Sequence, residues 1–256
     1  MVDPMPGPTT DTDAPPLLGL PCAVIDVEGA REFAVRAVAG GDFNSVLFAN
    51  AAKVVMAERD AVLRDTLWNA TLLAADGQSL VWASRVLGQP LRERVPGIDY
   101  MLDLLSVADA RGWRVFFLGG RDEVLDAVVE FCRREHPGLV VAGRHNGYFP
   151  PERDAEVARI VRESNADLMF VGMPSPRKEL WIDQQGPATG VSLAVASGGS
   201  FDVIAGVVRR APALWQRLGL EWFWRVVQEP RRLWKRYLTT NSRFLAKVAR
   251  ERVRRG

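Results

Sequence analysis

Short apolar runs alternate along this chain with longer segments in which apolar residues recur at helical spacing. The runs predict β-strands at Ala23–Val27, Val46–Ala49, Thr71–Ala74, Arg114–Leu118, Leu139–Ala142, Asp167–Val171 and Val191–Ala196. The longer segments predict helices that include Ala51–Leu67, Asp99–Arg111, Asp122–Glu135, Arg153–Ser164 and Arg177–Gln185. Because near-continuous apolar strands are typical of sheets covered on both faces, the pattern indicates an α/β domain with a mainly parallel sheet.

The pattern changes after Ala205, where the strand signals end. The segment Ala213–Val253 predicts two or three helices with a break near Pro230. We therefore predict a disordered Pro/Thr/Asp-rich leader at residues 1–20, the α/β domain at 21–208 and a helical appendage at 209–256. The leader has neither a basic start nor a long apolar run, so we do not expect it to act as a secretory signal.

The C-terminal segment differs strongly in charge from the rest of the chain. From residue 209 onward there are 14 Lys and Arg against 3 Asp and Glu, whereas the preceding residues hold 19 against 28. The small net charge is therefore the sum of two opposite parts, about +11 and about −9. Half of the eight tryptophans also lie in this basic block. Tryptophan and arginine together are typical of a lipid interface, but a nucleic-acid groove or packing of the helices onto the α/β domain would use the same residues.

The composition argues against three kinds of protein: membrane-spanning, disulfide-stabilised and metal-binding. No apolar run approaches the roughly 18–20 residues of a membrane-spanning helix. Cys22 and Cys132 are too few for a disulfide framework and suit a reducing cytosol. Cys132, His136 and His145 are three potential zinc ligands. Such isolated residues are far more often ordinary ones, so we expect no metal.

Several predicted strands end in glycine or a small polar residue, at the positions where ligands bind in open α/β sheets. These turns are Ala75-Asp76-Gly77, Gly119-Gly120, Gly143, Gly172 and Gly198-Gly199. The Asp76 carboxylate can act there as a general base toward a hydroxyl, or it is an ordinary turn or N-cap aspartate. The Gly119-Gly120 pair can seat a phosphate on the following helix, or it permits close packing of strand and helix.

Two groups of basic residues lie near the same predicted turns. Arg92 and Arg94 precede a Pro-Gly turn, where guanidinium groups can bind a diphosphate or stand in solvent. Arg177 and Lys178 start a predicted helix, where cations oppose the helix dipole and therefore hint at an anionic partner. The alternative there is a surface helix start with a local Lys178–Glu179 pair.

Ordered motifs connect these features. They are Asp-Gly at 76–77 with Val-Trp at 81–82, RVPG at 94–97, FFLGG at 116–120, GYF at 147–149, PSPRKE at 174–179, GGSFD at 198–202, RAP at 210–212, GLEW at 219–222, EPRR at 229–232 and RYL at 236–238. In this order they resemble the TagA/WecG/CpsF glycosyltransferases (glycosyltransferase family 26). The resemblance extends from about Asn50 to Leu238, which is most of the chain.

The resemblance implies a Rossmann-like α/β domain with a C-terminal appendage that helps to form a site at the membrane. At matching positions it implies Asp76 as the general base and Arg94 as a diphosphate contact, and we add Lys178 as a third catalytic candidate. The other residues that we expect to bind substrate are Asn50, Gly119, Gly120, Gly172, Glu179, Gly198, Gly199, Asp202, Arg210, Glu221, Arg225 and Arg231. The family lacks a metal-binding DxD, and the one DxD here, at residues 11–13, lies in the predicted leader.

Two positions depart from the family pattern. Phe48 replaces the threonine of an early Thr-x-Asn element, whose asparagine is Asn50, and so removes a hydroxyl from the expected pocket. Lys178 replaces the glutamine of a Pro-Lys-Gln-Glu motif. A cation there can contact a phosphate or a carboxylated sugar, so we interpret the two changes as altered specificity.

The resemblance implies transfer of a sugar, of N-acetylmannosamine, hexose or uronic acid type, from a UDP-sugar to a polyprenyl-diphosphate-linked saccharide, with inversion. We expect a cytoplasmic enzyme held peripherally at the inner face of the plasma membrane by anionic lipid. We expect no metal cofactor and no nucleic-acid partner, and the sequence leaves a homo-oligomer open. The alternative is an inactive sugar-nucleotide-binding scaffold of a polysaccharide assembly complex, which Phe48 and Lys178 keep open.

Overall fold

A computed structural model describes residues 15–217, 219–228 and 230–255. At its centre is one six-stranded sheet in the order β2-β1-β6-β5-β3-β4, in which all neighbouring strands are parallel. The strands are β1 Asn44–Ala49, β2 Leu72–Ala75, β3 Arg114–Gly119, β4 Val140–His145, β5 Leu168–Gly172 and β6 Leu193–Ala196. The predicted Rossmann-like α/β class is therefore confirmed.

Helices surround this sheet. They are α1 Val27–Gly40, α2 Ala51–Ala57, α3 Ala61–Asn69, α4 Gln78–Val86, α5 Gly97–Arg111, α6 Asp122–Glu135, α7 Asp154–Glu163, α8 Arg177–Gln185, α9 Ser200–Ile204, α10 Ala213–Arg217, α11 Glu221–Gln228 and α12 Pro230–Arg255, with 3-10 turns at Pro151–Arg153 and Gly186–Thr189. None of the described helices is both long and apolar enough to cross a membrane.

Two local predictions are wrong because capping aspartates decide the local structure. The predicted strand Ala23–Val27 is an irregular segment that leads into α1, because Asp26 accepts a hydrogen bond from the Gly29 N–H and starts the helix there. The predicted helix Ala51–Leu67 is two helices. Asp60 accepts from the Leu63 N–H and begins α3 as a separate element.

Both ends of the described chain pack against the α/β core. Leu17, Leu18 and Leu20 are buried in the core, so the predicted leader of residues 1–20 overlaps the packed structure, while residues 1–14 lie outside the described residues. At the other end α12 packs on α2 and buries Phe244 in the same core. The appendage therefore lies on the helix that follows β1.

Glycines bring β3, β5 and α9 closer together than larger residues would allow. Gly119 has φ +120°, and a Cβ there would lie 2.5 Å from the carbonyl carbon of Gly172. A Cβ on Gly172 would lie 2.5 Å from the ring of Phe201, which is buried. Gly120, with φ +74°, also faces the Phe201 ring. The structure thus gives these predicted substrate-binding glycines a packing role.

We expect Gly172→Ala to lower the free energy of unfolding by about 1–3 kcal/mol, because the new methyl overlaps the Phe201 ring in a close-packed region. Urea denaturation followed by circular dichroism measures the change. The control is Gly40→Ala in α1, where the new methyl has no atom within 4 Å apart from its chain neighbours and the helix's own backbone. Equal stability of the two variants would contradict the packing role.

Candidate active site

The carboxyl ends of β1, β2 and β6 lie at one edge of the sheet, where Asn50 directly follows β1, Asp76 directly follows β2 and Gly198 stands two residues after β6. In open α/β sheets, ligands bind beyond the carboxyl ends of the strands. The connections diverge at this edge between β5, which leads to β6, and β3, which leads to β4, so the topological switch point lies between β5 and β3. The ends of β1 and β2 also lie close together, since a Cβ on Gly77 would be 3.3 Å from the Cβ of Asn50.

Asp76 is held between two segments of this edge. Its N–H donates to the Ala49 carbonyl at 2.9 Å, and its Oδ1 accepts from the Gly97 N–H at 3.1 Å. The N-cap of the following helix α4 is Gly77, so Asp76 is not that helix's cap. Its carboxylate instead bridges to the start of α5, and it is only partly buried. The strand end and α5 together therefore fix the orientation of a carboxylate that solvent or a ligand can reach.

A buried ionic cluster lies beside this edge and is formed by Lys53, Ser175, Lys178 and Glu179. Glu179 is fully buried, and its Oε1 lies 2.7 Å from the Lys53 Nζ and 2.9 Å from the Lys178 Nζ. The same oxygen accepts from the Ser175 hydroxyl at 2.9 Å. Lys53 comes from α2, after β1, whereas the other three come from the loop after β5 and the first turn of α8. Two ammonium groups thus share one carboxylate oxygen.

Burial and neighbouring charge shift the pKa values of this cluster. Burial alone would raise the pKa of Glu179, but the ammonium groups of Lys53 and Lys178 outweigh it and lower the pKa to about 2. Burial and then repulsion from Lys53 lower the pKa of Lys178 to about 8. Glu179 and Asp76 act on Lys178 in the opposite direction, so the Asp76 carboxylate and the Lys178 ammonium lie within electrostatic reach of each other.

The Lys178 ammonium also lies against the glycine turn after β6. A Cβ on Gly198 would be 3.8 Å from the Lys178 Nζ, and the backbone there has φ +47°. Gly199 is the N-cap of the short helix α9, and Asp202 lies in its first turn. The structure therefore brings Lys178, Glu179, Gly198, Gly199 and Asp76 to one region.

The structure separates the two arginines that the sequence left equivalent. Arg92 is exposed and pairs with Asp26 at the start of α1. Arg94 is mostly buried and reaches the appendage, where its guanidinium contacts the Glu221 carboxylate at 2.6 Å and the Gln216 carbonyl at 3.0 Å. Two residues that sequence reasoning assigned to the substrate, Arg94 and Glu221, are therefore paired with each other.

A second ion pair joins the appendage segment to α5. Arg210 donates to Asp99 at 2.5 Å, and its buried Nε has no hydrogen-bond partner within the described part of the structure. The predicted site residues Arg225 and Arg231 lie on α11 and α12, but their side chains lie outside the described residues. The ion pairs of Arg94 and Arg210 thus connect the appendage to the α/β domain near the carboxyl edge of the sheet, where Asp76 lies.

The two residues of the Thr-x-Asn element have structural roles. Asn50 is the N-cap of α2, and its Oδ1 accepts from the Lys53 N–H at 3.1 Å. Phe48 is only 4% exposed and packs edge-to-face on Tyr100, with ring centroids 6.0 Å apart. Its ring also lies 3.6 Å from a Cβ built on Gly97, so it supports the site from the core side and does not line an open pocket.

The pattern-based search missed Lys53, Ser175 and Asp99. The available signal for Lys53 was a lysine within the otherwise apolar helix sequence AAKVVMA, since a cation on a buried helix face needs a partner. No group of three His, Cys, Asp or Glu side chains able to hold a metal occurs within residues 15–217, 219–228 and 230–255.

Comparison with known proteins adds an independent result. A family model described as the glycosyl transferase WecG/TagA/CpsF family matches residues 15–256. The chain is 36% identical over 187 residues to an N-acetylglucosaminyldiphosphoundecaprenol N-acetyl-beta-D-mannosaminyltransferase of Bacillus spizizenii, covering 73% of this chain and 72% of the relative. Enzymes of the same name from Bacillus subtilis and Staphylococcus aureus are 33% identical over 188 residues and 34% over 183, each covering at least 70% of both chains.

Proposed function

Because this chain belongs to the WecG/TagA/CpsF family of glycosyl transferases, we propose that it transfers a sugar from a UDP-sugar to a polyprenyl-diphosphate-linked saccharide. The donor sugar is of N-acetylmannosamine, hexose or uronic acid type, and the names of the relatives favour the first. The product belongs to cell-surface polysaccharide synthesis. One observation carries the proposal: the partly buried Asp76 carboxylate, held by the Gly97 N–H, and the buried Lys178 ammonium, at the Gly198 turn, both lie at the carboxyl edge of the sheet.

The proposed reaction is a single displacement. Asp76 accepts the proton of the acceptor hydroxyl as that oxygen attacks the anomeric carbon of the donor, and the bond from this carbon to the UDP oxygen breaks. The configuration at the anomeric carbon is therefore inverted. The Gly97 N–H supports the process by holding the Asp76 carboxylate in place.

Cations of this chain stabilise the departing diphosphate, where negative charge develops. Lys178 is suited to this role because its ammonium lies at the Gly198 turn. Arg94 is suited because a guanidinium carries five donors and its contacts with Glu221 and Gln216 place it beside the same edge. These cations take the role that a metal ion has in other sugar-nucleotide enzymes, so we propose that no metal is needed.

The appendage is proposed to hold the enzyme on anionic lipid at the inner face of the plasma membrane. Large apolar side chains of this region are exposed, namely Leu214, Phe223, Val227, Trp234, Leu238 and Leu245. Together with the basic excess of this segment they are typical of an interfacial helix. Co-sedimentation with anionic vesicles at about 150 mM salt, without binding to single-stranded DNA, supports this partner. The opposite result would contradict it.

The function is tested by measuring UDP release from a panel of UDP-sugars with a short-chain prenyl-diphosphate-linked acceptor. Acceptor-dependent release from one donor supports the transferase and identifies the donor. UDP binding without release from any donor favours the alternative, a sugar-nucleotide-binding scaffold.

We expect kcat/KM to fall as pH rises through about 8, because Lys178 loses its positive charge there. Lys178→Arg keeps a cation at all accessible pH values, so this variant should lose the alkaline decline even where its rate is lower. The pH dependence of UDP release from pH 6 to 10 provides the measurement. A decline of the same midpoint in Lys178→Arg would show that another group titrates.

A further inference from the structure

Lys53 is a buried lysine in a helix that would otherwise be apolar. Its side chain is 6% exposed, and taking an ammonium group out of water is costly unless it is paired. The first turn of α2, capped by Asn50, carries it beneath the carboxyl edge of the sheet. A surface lysine stays in water and does not have this desolvation cost. The contacts that offset the cost for Lys53 therefore indicate its role.

The ammonium group of Lys53 contacts residues of the candidate site and is shielded from solvent. Its Nζ donates to the Phe48 carbonyl at the end of β1 and lies 2.7 Å from Oε1 of Glu179. The other carboxylate oxygen of Glu179 has no hydrogen-bond partner among the described residues. Glu179 is thus held through Oε1 alone, by Lys53 on one side and by Lys178 and Ser175 on the other.

We propose that Lys53 is a positioning residue for the transfer reaction, holding Glu179 in place and thereby setting the orientation and the charge of Lys178 at the Gly198 turn. The part of this inference that concerns turnover rests on the proposed function. The part that concerns the geometry and titration of Lys178 does not.

Two physical effects connect Lys53 to Lys178. Lys53 fixes the carboxylate that receives the Lys178 ammonium, and its own charge repels that ammonium, which lowers the pKa of Lys178. The other charged groups that act on Lys178 are Glu179 on the same helix and Asp76 after β2.

The remaining charged groups of α8 have partners of their own on other elements. Arg177 pairs with Asp154 of α7, and Asp183 accepts from the Thr66 hydroxyl of α3. Neither is among the groups that shift the pKa of Lys178. A change in the titration midpoint of Lys178 therefore indicates a change at Lys53 rather than at Arg177 or Asp183.

The test is the titration of Lys178 in the intact protein, followed by NMR of 13Cε-labelled lysine from pH 6 to 11 without substrate. In Lys53→Met, which keeps the side-chain length but removes the charge, we expect the midpoint to rise by about one unit, because a repelling neighbour is gone. With an active donor, kcat should fall by about 10²-fold, as expected when a contact group is displaced by about 1 Å. An unchanged midpoint in folded Lys53→Met would overturn the inference.

Two further variants keep the result interpretable. Lys247→Met removes a lysine that pairs with Glu58 at 2.7 Å outside the cluster, and it should leave the Lys178 midpoint unchanged. Lys53→Arg keeps the positive charge, so the midpoint should stay near the wild-type value while kcat falls, because a guanidinium does not reproduce the two contacts of the ammonium. Wild-type turnover in Lys53→Arg would contradict the positioning role. This measurement decides the question even if Lys53→Met does not fold. If the wild type itself turns over no donor, the proposed function fails, and the titration still decides the inference.

Discussion

Asp76→Asn is expected to lower kcat by about 10²–10⁴-fold while UDP binding changes little. The amide keeps the size of the side chain and an oxygen that accepts from the Gly97 N–H, but it cannot take the proton of the acceptor hydroxyl. The loss should therefore fall on the chemical step. UDP release in the presence of acceptor measures kcat, and calorimetric titration measures UDP binding.

The matched control for this prediction is Asp60→Asn. Asp60 also accepts from a backbone N–H, that of Leu63 at 3.0 Å, but it starts α3 outside the site, and asparagine is an equally good cap. This variant should retain the turnover of the wild type. Wild-type turnover in Asp76→Asn, or a product with retained anomeric configuration, would contradict the proposed base.

Glu179→Gln is expected to lower the free energy of unfolding at pH 7 by about 3–5 kcal/mol. The substitution leaves two buried ammonium groups, those of Lys53 and Lys178, without their shared anion, and an unpaired buried charge is strongly destabilising. Urea denaturation measures the change. Glu163→Gln is the control, because Glu163 pairs with Arg159 on the exposed face of α7, and such surface pairs contribute about 0–1 kcal/mol.

The pH dependence of stability follows from the same cluster. The pKa of Glu179 is lowered to about 2, so its contribution is present above its ordinary value of 4.5 and is lost as pH falls toward 2. The pKa of Lys178 is lowered to about 8 from 10.5, so the unfolded chain binds more protons between these values and stability rises with pH there. The destabilisation by Glu179→Gln should accordingly be smaller at pH 9 than at pH 6, because a neutral Lys178 no longer needs the carboxylate. Equal losses at the two pH values would show that the charge of Lys178 does not contribute.

The roles expected of individual residues were predictable to different degrees. The place of Asp76 directly after β2 was predictable from sequence, because local structure fixes the position of an acidic residue at the end of a buried strand. Its role as the base stays a prediction. Arg92 and Arg94 could not be told apart, since both are arginines in the same loop. Only the approach of the appendage gives Arg94 its partners, and one of these, Glu221, is 127 residues away along the chain.

The glycines and Phe48 illustrate the same limit. A glycine turn after a strand is compatible with phosphate binding and with tight packing, and the Phe201 ring against Gly172 adds a packing requirement that no local pattern contains. Phe48 was expected at a substrate pocket from its place in a motif. The structure buries it against Tyr100, because its side chain belongs to the core.

The sequence by itself determined the class of fold, most of the strands, the break at Pro230 and the place of Asp76 and the glycine turns at the carboxyl ends of strands. These follow from apolar periodicity and turn chemistry, which act over a few neighbouring residues. Only the tertiary structure decided that Lys53 and Lys178 share the carboxylate of Glu179 and that Arg94 faces the appendage. The local Lys178–Glu179 pair was open to sequence reasoning, but the order of strands brings distant segments together, and it alone places Lys53 at the same buried carboxylate.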